Sequence, residues 1–153
     1  TDLGGSPALT GIAFVTTGFF WAYRRPTLIV PLWISILGSE STTWLGKWGF
    51  DRTRPEFVTS VTAISPSFPS AHATGAMAVY GFIAYALVRD LPGLREKFEI
   101  SFWTLMLILL IGFSRIFLSV HYLSDVLTGF LVGVFWLLVS FTIAESRLHR
   151  SAD

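Results

Sequence analysis

The sequence contains no cysteine, and charged residues make up only 14% of it. The absence of cysteine excludes disulfide bridges, thiolate metal sites and cysteine nucleophiles, and it leaves the redox compartment undetermined. Soluble domains carry about 25% charged residues, so the shortage of charge indicates a bilayer environment. The net charge of +1 also gives no basic excess for nucleic acid. We therefore expect a membrane protein without a nucleic-acid partner.

Apolar residues are abundant instead, at 52% of the chain, with a mean hydropathy of +0.62. A membrane-spanning helix needs about 20 mostly apolar residues. The first and last of five apolar segments meet this length alone, and the other three need their polar ends to be embedded. Buried core helices are the alternative for the third and fourth, but five segments in 153 residues favour a single-domain, all-α transmembrane bundle. The segments are 3–23, 26–46, 73–88, 100–120 and 126–144.

The distribution of basic residues predicts an orientation. If the five helices alternate, seven basic residues lie on one face of the membrane and four on the other. Cytoplasmic loops are richer in Lys and Arg, so the seven-residue face is predicted to be cytoplasmic and the other face periplasmic or external. Residue 1 then lies outside, and we expect a further helix upstream in a longer protein. The seven are Arg24, Arg25, Arg89, Arg95, Lys97, Arg147 and Arg150, and the four are Lys47, Arg52, Arg54 and Arg115.

Three polar motifs lie on the less basic face. The first, at 47–55, is a Lys, six residues and Arg-Pro, and it opens a long connection that runs to about residue 71. The second, at 69–72, is Pro-Ser-Ala-His at the start of the third segment. The third, at 114–125, is Ser-Arg, five residues, His, three residues and Asp. Together they supply three cations, two imidazoles, a hydroxyl and a carboxylate on one side of the membrane.

This set of groups fits phosphoryl transfer. The transferred group spreads negative charge over three oxygens, so catalysis consists largely of positioning and charge stabilisation. Lysine is a compact point charge, whereas arginine can hold two oxygens in a planar fork. Backbone N–H groups from Ser70 to His72, at the start of a helix, add an anion site. The candidate phosphate ligands are Lys47, Arg54, Ser70 and Arg115.

Two histidines and one aspartate supply the remaining chemistry. His121 and Asp125 are four residues apart and are neighbours if the fifth helix has already begun there. The carboxylate would then hold the proton of one ring nitrogen and leave the other nitrogen free to attack phosphorus. His72 would protonate the departing lipid oxygen and later activate water.

Each motif also has a simpler structural interpretation. The first could be a juxtamembrane anchor, the second a helix cap, the His–Asp pair a structural hydrogen bond, and Arg115 a side chain that reaches toward the membrane surface. The order, spacing and common side of all three favour one functional site. Charged residues within a membrane also point to function by default.

The three motifs resemble those of the type 2 phosphatidic acid phosphatase superfamily, in which the second motif reads Pro-Ser-Gly-His. The resemblance implies a helical bundle of six helices, the first of them missing here, and no metal or cofactor. It makes His121 the nucleophile, Asp125 its orienting partner and His72 the acid and base, with phosphate bound by Lys47, Arg54, Ser70 and Arg115. One departure is Ala71, which stands in the phosphate-binding segment at the glycine position. A methyl group is tolerated there only if φ is negative.

The implied activity is that of a bacterial inner-membrane lipid phosphatase. Its substrate would be undecaprenyl pyrophosphate, phosphatidate, phosphatidylglycerol phosphate or a lipid A phosphate. A lipid phosphotransferase with the same phosphohistidine and a non-enzymatic lipid or anion transporter remain as alternatives. Vanadium haloperoxidases share the motifs, but they are soluble. Glu40 is expected to pair with Lys47, with another cation of the motifs or with nearby hydroxyls, and the sequence predicts no oligomeric state.

Overall fold

The computed structural model describes residues 2–55 and 65–150, with side chains described as far as residue 148. It consists of five α-helices and two short 3₁₀ turns, Asp2–Gly4 and Pro26–Leu28. The described residues include no strand, and the predicted all-α bundle is confirmed. The helices are α1 (Ser6–Ala22), α2 (Ile29–Phe50), α3 (Ala71–Arg89), α4 (Leu94–Phe117) and α5 (Leu123–Arg150).

Four of these helices, α2 to α5, are long and apolar enough to cross a membrane. The first segment was expected to span by itself, but α1 has only 17 residues because residues 2–4 form a 3₁₀ turn. At 1.5 Å per residue α1 is about 26 Å long, slightly less than the roughly 30 Å of a bilayer core. Large apolar side chains such as Phe14, Leu110, Phe113, Leu131 and Phe135 are exposed on the outside of the bundle. This surface suits lipid tails, and the chain is a multi-pass membrane protein.

The third helix lies at the centre of the bundle and contacts the other four. It packs closely against α5, where Gly129 and Gly133 are four residues apart. A Cβ atom placed on Gly129 would lie 2.8 Å from the backbone oxygen of Ser70, and one on Gly133 would lie 3.0 Å from that of Thr74. Small residues four apart allow two membrane helices to approach this closely. The contact joins the start of α5 to the start of α3, where two of the motifs lie.

Salt bridges connect the helices at the opposite end of the bundle. Arg25, after α1, pairs with Asp90, after α3, and Arg89 Nε lies 3.3 Å from Glu145 Oε1 near the end of α5. This arrangement agrees with the predicted alternation of helices. The three motifs therefore share the other end.

Three helix boundaries differ from those expected. Helix α2 continues to Phe50, so Lys47 lies in its last turn and not at the start of the connection. Helix α4 begins at Leu94 and includes four charged residues that the prediction left outside it. Helix α5 begins at Leu123, two residues after His121, so the His–Asp pair is not one turn of a helix.

Candidate active site

The turn after α4 fixes the spacing of the third motif. The N–H of Val120 donates to the carbonyl of Arg115 at 3.2 Å, and the N–H of Ser119 donates to that of Ile116 at 2.8 Å. Ser119 has φ 54, so this is a Schellman cap with a serine in the left-handed position. The cap reverses the chain immediately before His121, which therefore lies close to the end of the helix that carries Arg115.

The chain leaves α2 through another left-handed residue, Asp51, with φ 40. Hydrogen bonds from Arg54 connect the segment after α2 to the returning end of the connection and to the turn after α4. The guanidinium of Arg54 donates to the backbone oxygen of Ser65 and to that of Val120, each at 2.9 Å. Its Nη1 also lies 3.5 Å from Nε2 of His121. The first motif is thus brought against the third, whereas residues 56–64 of the predicted functional loop lie outside the described residues.

Ser70 caps α3 in an extended conformation, but its side chain makes no capping hydrogen bond. Its backbone N–H instead donates to the carbonyl of Asp125 at 3.0 Å, which ties the second motif to the third. The Oγ of Ser70 is buried and has no hydrogen-bond partner among the described residues. Ala71 is the first helical residue and has negative φ, which is the condition that an alanine at the glycine position must satisfy.

His121 and Asp125 are both buried and face each other. Nδ1 of His121 lies 3.5 Å from Oδ2 of Asp125, and the same oxygen accepts a hydrogen bond from the N–H of Tyr122 at 2.9 Å. The two groups lie near each other across the turn before α5, but Nδ1 of His121 has no hydrogen-bond partner among the described residues, so the predicted hydrogen bond remains a prediction. In this arrangement Nε2 of His121 points toward Arg54.

Burial and nearby positive charges favour the neutral form of His121. Burial lowers the pKa of His121 below its ordinary value of 6.5, and the positive charges of Arg54 and Lys47 lower it further, while Asp125 opposes them. A neutral imidazole retains the lone pair that a nucleophile requires. At neutral pH the residue is thus in the form that can attack an electrophile.

Two further predicted cations reach the same region. Lys47 donates to the carbonyl of Pro66 at 2.5 Å, which holds the ammonium beside the returning connection. Arg115 is buried, and its Nε has no hydrogen-bond partner among the described residues. Buried polar groups are normally bonded, so Nε of Arg115 and Oγ of Ser70 are donors with capacity for a further hydrogen bond.

His72 lies in the first turn of α3, on the side that faces the start of the chain. A Cβ atom placed on Gly4 would lie 3.2 Å from its Cδ2, and one on Gly5 would lie 3.9 Å from its Nε2. The hydroxyl of Tyr80 donates to the carbonyl of Leu3 at 2.8 Å and helps to hold this segment in place. Residues 3–5 therefore form one wall beside His72.

The motifs do not single out Arg52, which lies in the spacer of the first one. Its Nη1 donates to Oδ1 of Asp125 at 2.9 Å and to Oγ of Ser124 at 2.7 Å. The sequence signal was a second basic residue two positions before Arg54. Glu40, in contrast, forms no salt bridge within the described residues and attracts Lys47 only from a greater distance.

A family model described as the PAP2 superfamily matches residues 28–148, which is most of the chain and includes all three motifs. The chain belongs to the PAP2 superfamily. It is similar to phosphatidylglycerophosphatase B of Bacillus subtilis (strain 168), with 35% identity over 98% of this chain and 75% of that protein. PAP2 members are metal-independent phosphoric ester hydrolases, and the chain is a membrane lipid phosphatase of this kind.

Two solved structures show the same PAP2 fold. The first transmembrane PAP2-type phosphatidylglycerolphosphate phosphatase structure, from Bacillus subtilis, superposes with a TM-score of 0.87 at 30% identity, over 94% of this chain and 72% of that one. LpxE of Aquifex aeolicus superposes with a TM-score of 0.70 at 24% identity, over 92% of this chain and 79% of that one. The similarity to LpxE concerns the fold alone.

Proposed function

We propose that this PAP2 protein hydrolyses the terminal phosphate of phosphatidylglycerol phosphate through a phosphohistidine formed on His121. The observation that carries the proposal is the meeting of two histidines with buried, unbonded donors at one end of the bundle. Ser70 Oγ and Arg115 Nε supply such donors, and Lys47 and Arg54 add two cations beside them. A phosphate dianion would satisfy these groups together.

The proposed chemistry gives each histidine a separate role. The lone pair on Nε2 of His121 forms a bond to phosphorus while the bond from phosphorus to the lipid oxygen breaks. His72 donates its proton to that oxygen and then accepts a proton from the water that attacks the phosphohistidine. The N–P bond breaks, phosphate leaves and His121 is regenerated. Asp125 holds the proton on Nδ1, so that Nε2 keeps its lone pair throughout the first step.

A groove between α1, α2 and α3 supports a lipid as the substrate. Its volume is about 340 Å³, and Leu9, Phe14, Trp33 and Val79 line it. Ser6, which follows the segment that lies against His72, also lines it, as does Glu40, so one part of the groove lies near the proposed site. An acyl chain could lie there while the phosphate stays at the bilayer surface.

The proposed substrate is inferred from the relatives, and the proposed orientation in the membrane is inferred from the basic residues. The names of the Bacillus subtilis relatives favour phosphatidylglycerol phosphate over the other lipid phosphates considered. The excess of basic residues at the opposite end of the bundle favours an active site that faces the periplasm or the cell exterior, in a bacterial inner membrane.

We expect the purified protein to release inorganic phosphate from phosphatidylglycerol phosphate in the presence of EDTA as fast as in its absence. The rate should exceed that with phosphatidate, a lipid A phosphate or undecaprenyl pyrophosphate, each presented in the same detergent micelles. Release that requires an added acceptor lipid would favour a phosphotransferase. No release from any lipid phosphate would contradict the proposal and favour a transporter.

A further inference from the structure

The buried carboxylate of Asp125 accepts two hydrogen bonds, and one of them comes from Arg52, a spacer residue of the first motif. Its Oδ2 receives the N–H of Tyr122 at 2.9 Å and faces Nδ1 of His121 at 3.5 Å. Its Oδ1 accepts a hydrogen bond from Nη1 of Arg52 at 2.9 Å. The side chain of Asp125 has 0% exposure, and a fully buried carboxylate requires a charged partner. Arg52 forms the shorter ion pair with this carboxylate, at 2.9 Å, whereas Nδ1 of His121 lies 3.5 Å away and makes no hydrogen bond.

Arg52 is partly exposed, and three further contacts restrain it. The same Nη1 donates to Oγ of Ser124 at 2.7 Å, and the guanidinium carbon lies 4.2 Å from the centre of the Tyr122 ring. The backbone oxygen of Arg52 accepts the N–H of Ser67 at 2.8 Å, which connects it to the returning end of the connection. A planar guanidinium in this setting can orient a carboxylate, which a mobile surface arginine could not do.

Arg52 and Arg54, both in the first motif, thus contact different residues of the site. Arg54 lies against Nε2 of His121, on the side of the ring proposed to attack phosphorus. Arg52 lies against the far oxygen of Asp125, on the side of the ring proposed to keep its proton. Arg52 therefore bears on the orientation of the nucleophile, whereas Arg54 is placed to contact the phosphate.

We propose that Arg52 is a positioning residue of the phosphatase site, which aligns Asp125 so that its second oxygen orients His121. The inference rests on the proposed function, because it requires His121 to be the nucleophile. Arg52 would have no contact with the substrate phosphate. Its removal should slow the attack on phosphorus and leave phosphate binding unchanged.

The test is a double-mutant cycle on the full chain. We expect Arg52→Gln to lower kcat/KM about 10–100-fold, the usual range for a residue that orients a functional side chain. The inhibition constant of inorganic phosphate should stay within about twofold of the wild-type value. In an Asp125→Asn background the same change should have almost no further effect, because the carboxylate that Arg52 orients is already absent. Arg52→Lys, which keeps the charge without the fork, should recover part of the activity.

Arg95→Gln is the matched control, since Arg95 makes an exposed salt bridge near the start of α4, away from the motifs, and should leave activity unchanged. Three results would overturn the inference: wild-type activity in Arg52→Gln, additive losses in the double variant, or weaker phosphate inhibition in proportion to the loss of kcat/KM. The last would show that Arg52 contacts the phosphate. Full activity in a His121→Ala variant would instead contradict the proposed function, so the two failures are distinguishable.

Discussion

Replacement of His121 by alanine is expected to abolish phosphate release, with a loss of at least ~10⁴-fold in kcat. The variant lacks the nitrogen proposed to form the bond to phosphorus, and removal of a covalent nucleophile costs more than removal of any binding group. The remaining cations would still bind the lipid phosphate, so the variant should retain substrate affinity. The measurement is phosphate release from phosphatidylglycerol phosphate by detergent-solubilised protein.

Two controls make this result specific. His149→Ala, in the last turn of α5 at the other end of the bundle, should retain wild-type activity. Circular dichroism of His121→Ala should show the helical content of the wild type, which excludes misfolding as the reason for the loss. A folded His121→Ala variant with even a tenth of the wild-type rate would contradict the assignment of the nucleophile.

The second large effect is expected from Gly129→Ala, which adds one methyl group where α5 crosses α3. The new Cβ would lie 2.8 Å from the backbone oxygen of Ser70 and 3.0 Å from Cβ of Ala73. Because one of these contacts is backbone, the helices must separate. Overpacking of this kind costs about 1–3 kcal/mol in the free energy of unfolding. The same shift would pull Ser70 from its hydrogen bond to Asp125, and a displacement of about 1 Å in a catalytic site can lower the rate ~10²-fold.

Gly11→Ala is the matched control, since a Cβ on Gly11 in α1 would meet, beyond the backbone of its own helical turn, no atom of the described residues within 4 Å. It should leave activity unchanged and raise the unfolding temperature slightly, because alanine favours a helix over glycine by up to ~1 kcal/mol. Thermal unfolding and activity of both variants in one detergent would be compared. Equal behaviour of the two variants would show that the α3–α5 contact does not organise the site.

Much of the fold could be predicted because the bilayer imposes a simple rule on the sequence. Long uncharged stretches must be helices, since no other element satisfies its backbone within a single segment. The helix ends were less predictable because they depend on local turn chemistry. The left-handed residues Asp51 and Ser119, neither of them glycine, end α2 and begin the turn before His121. No apolar pattern marks either position.

The candidate site was likewise predictable in part. Charged and hydroxyl residues at one end of a hydrophobic bundle are conspicuous, and the structure brings Lys47, Arg54, Ser70 and Arg115 to that end. The contact of Arg52 with Asp125 was not predictable, because Arg52 lies 73 residues before its partner. The close approach of α5 to α3 at Gly129 depends likewise on the packing of two distant segments. Such pairings become visible only after the helices are assembled.

The most direct measurement of the central claim is the trapping of the covalent intermediate. Wild-type protein would be mixed with lipid carrying a radiolabelled terminal phosphate and quenched in base during the first turnover, because phosphohistidine survives in base. We expect label on the protein that maps by mass spectrometry to the peptide containing His121, and none on a His121→Ala variant treated in the same way. Label on any other residue, or equal label on His121→Ala, would contradict the proposed nucleophile.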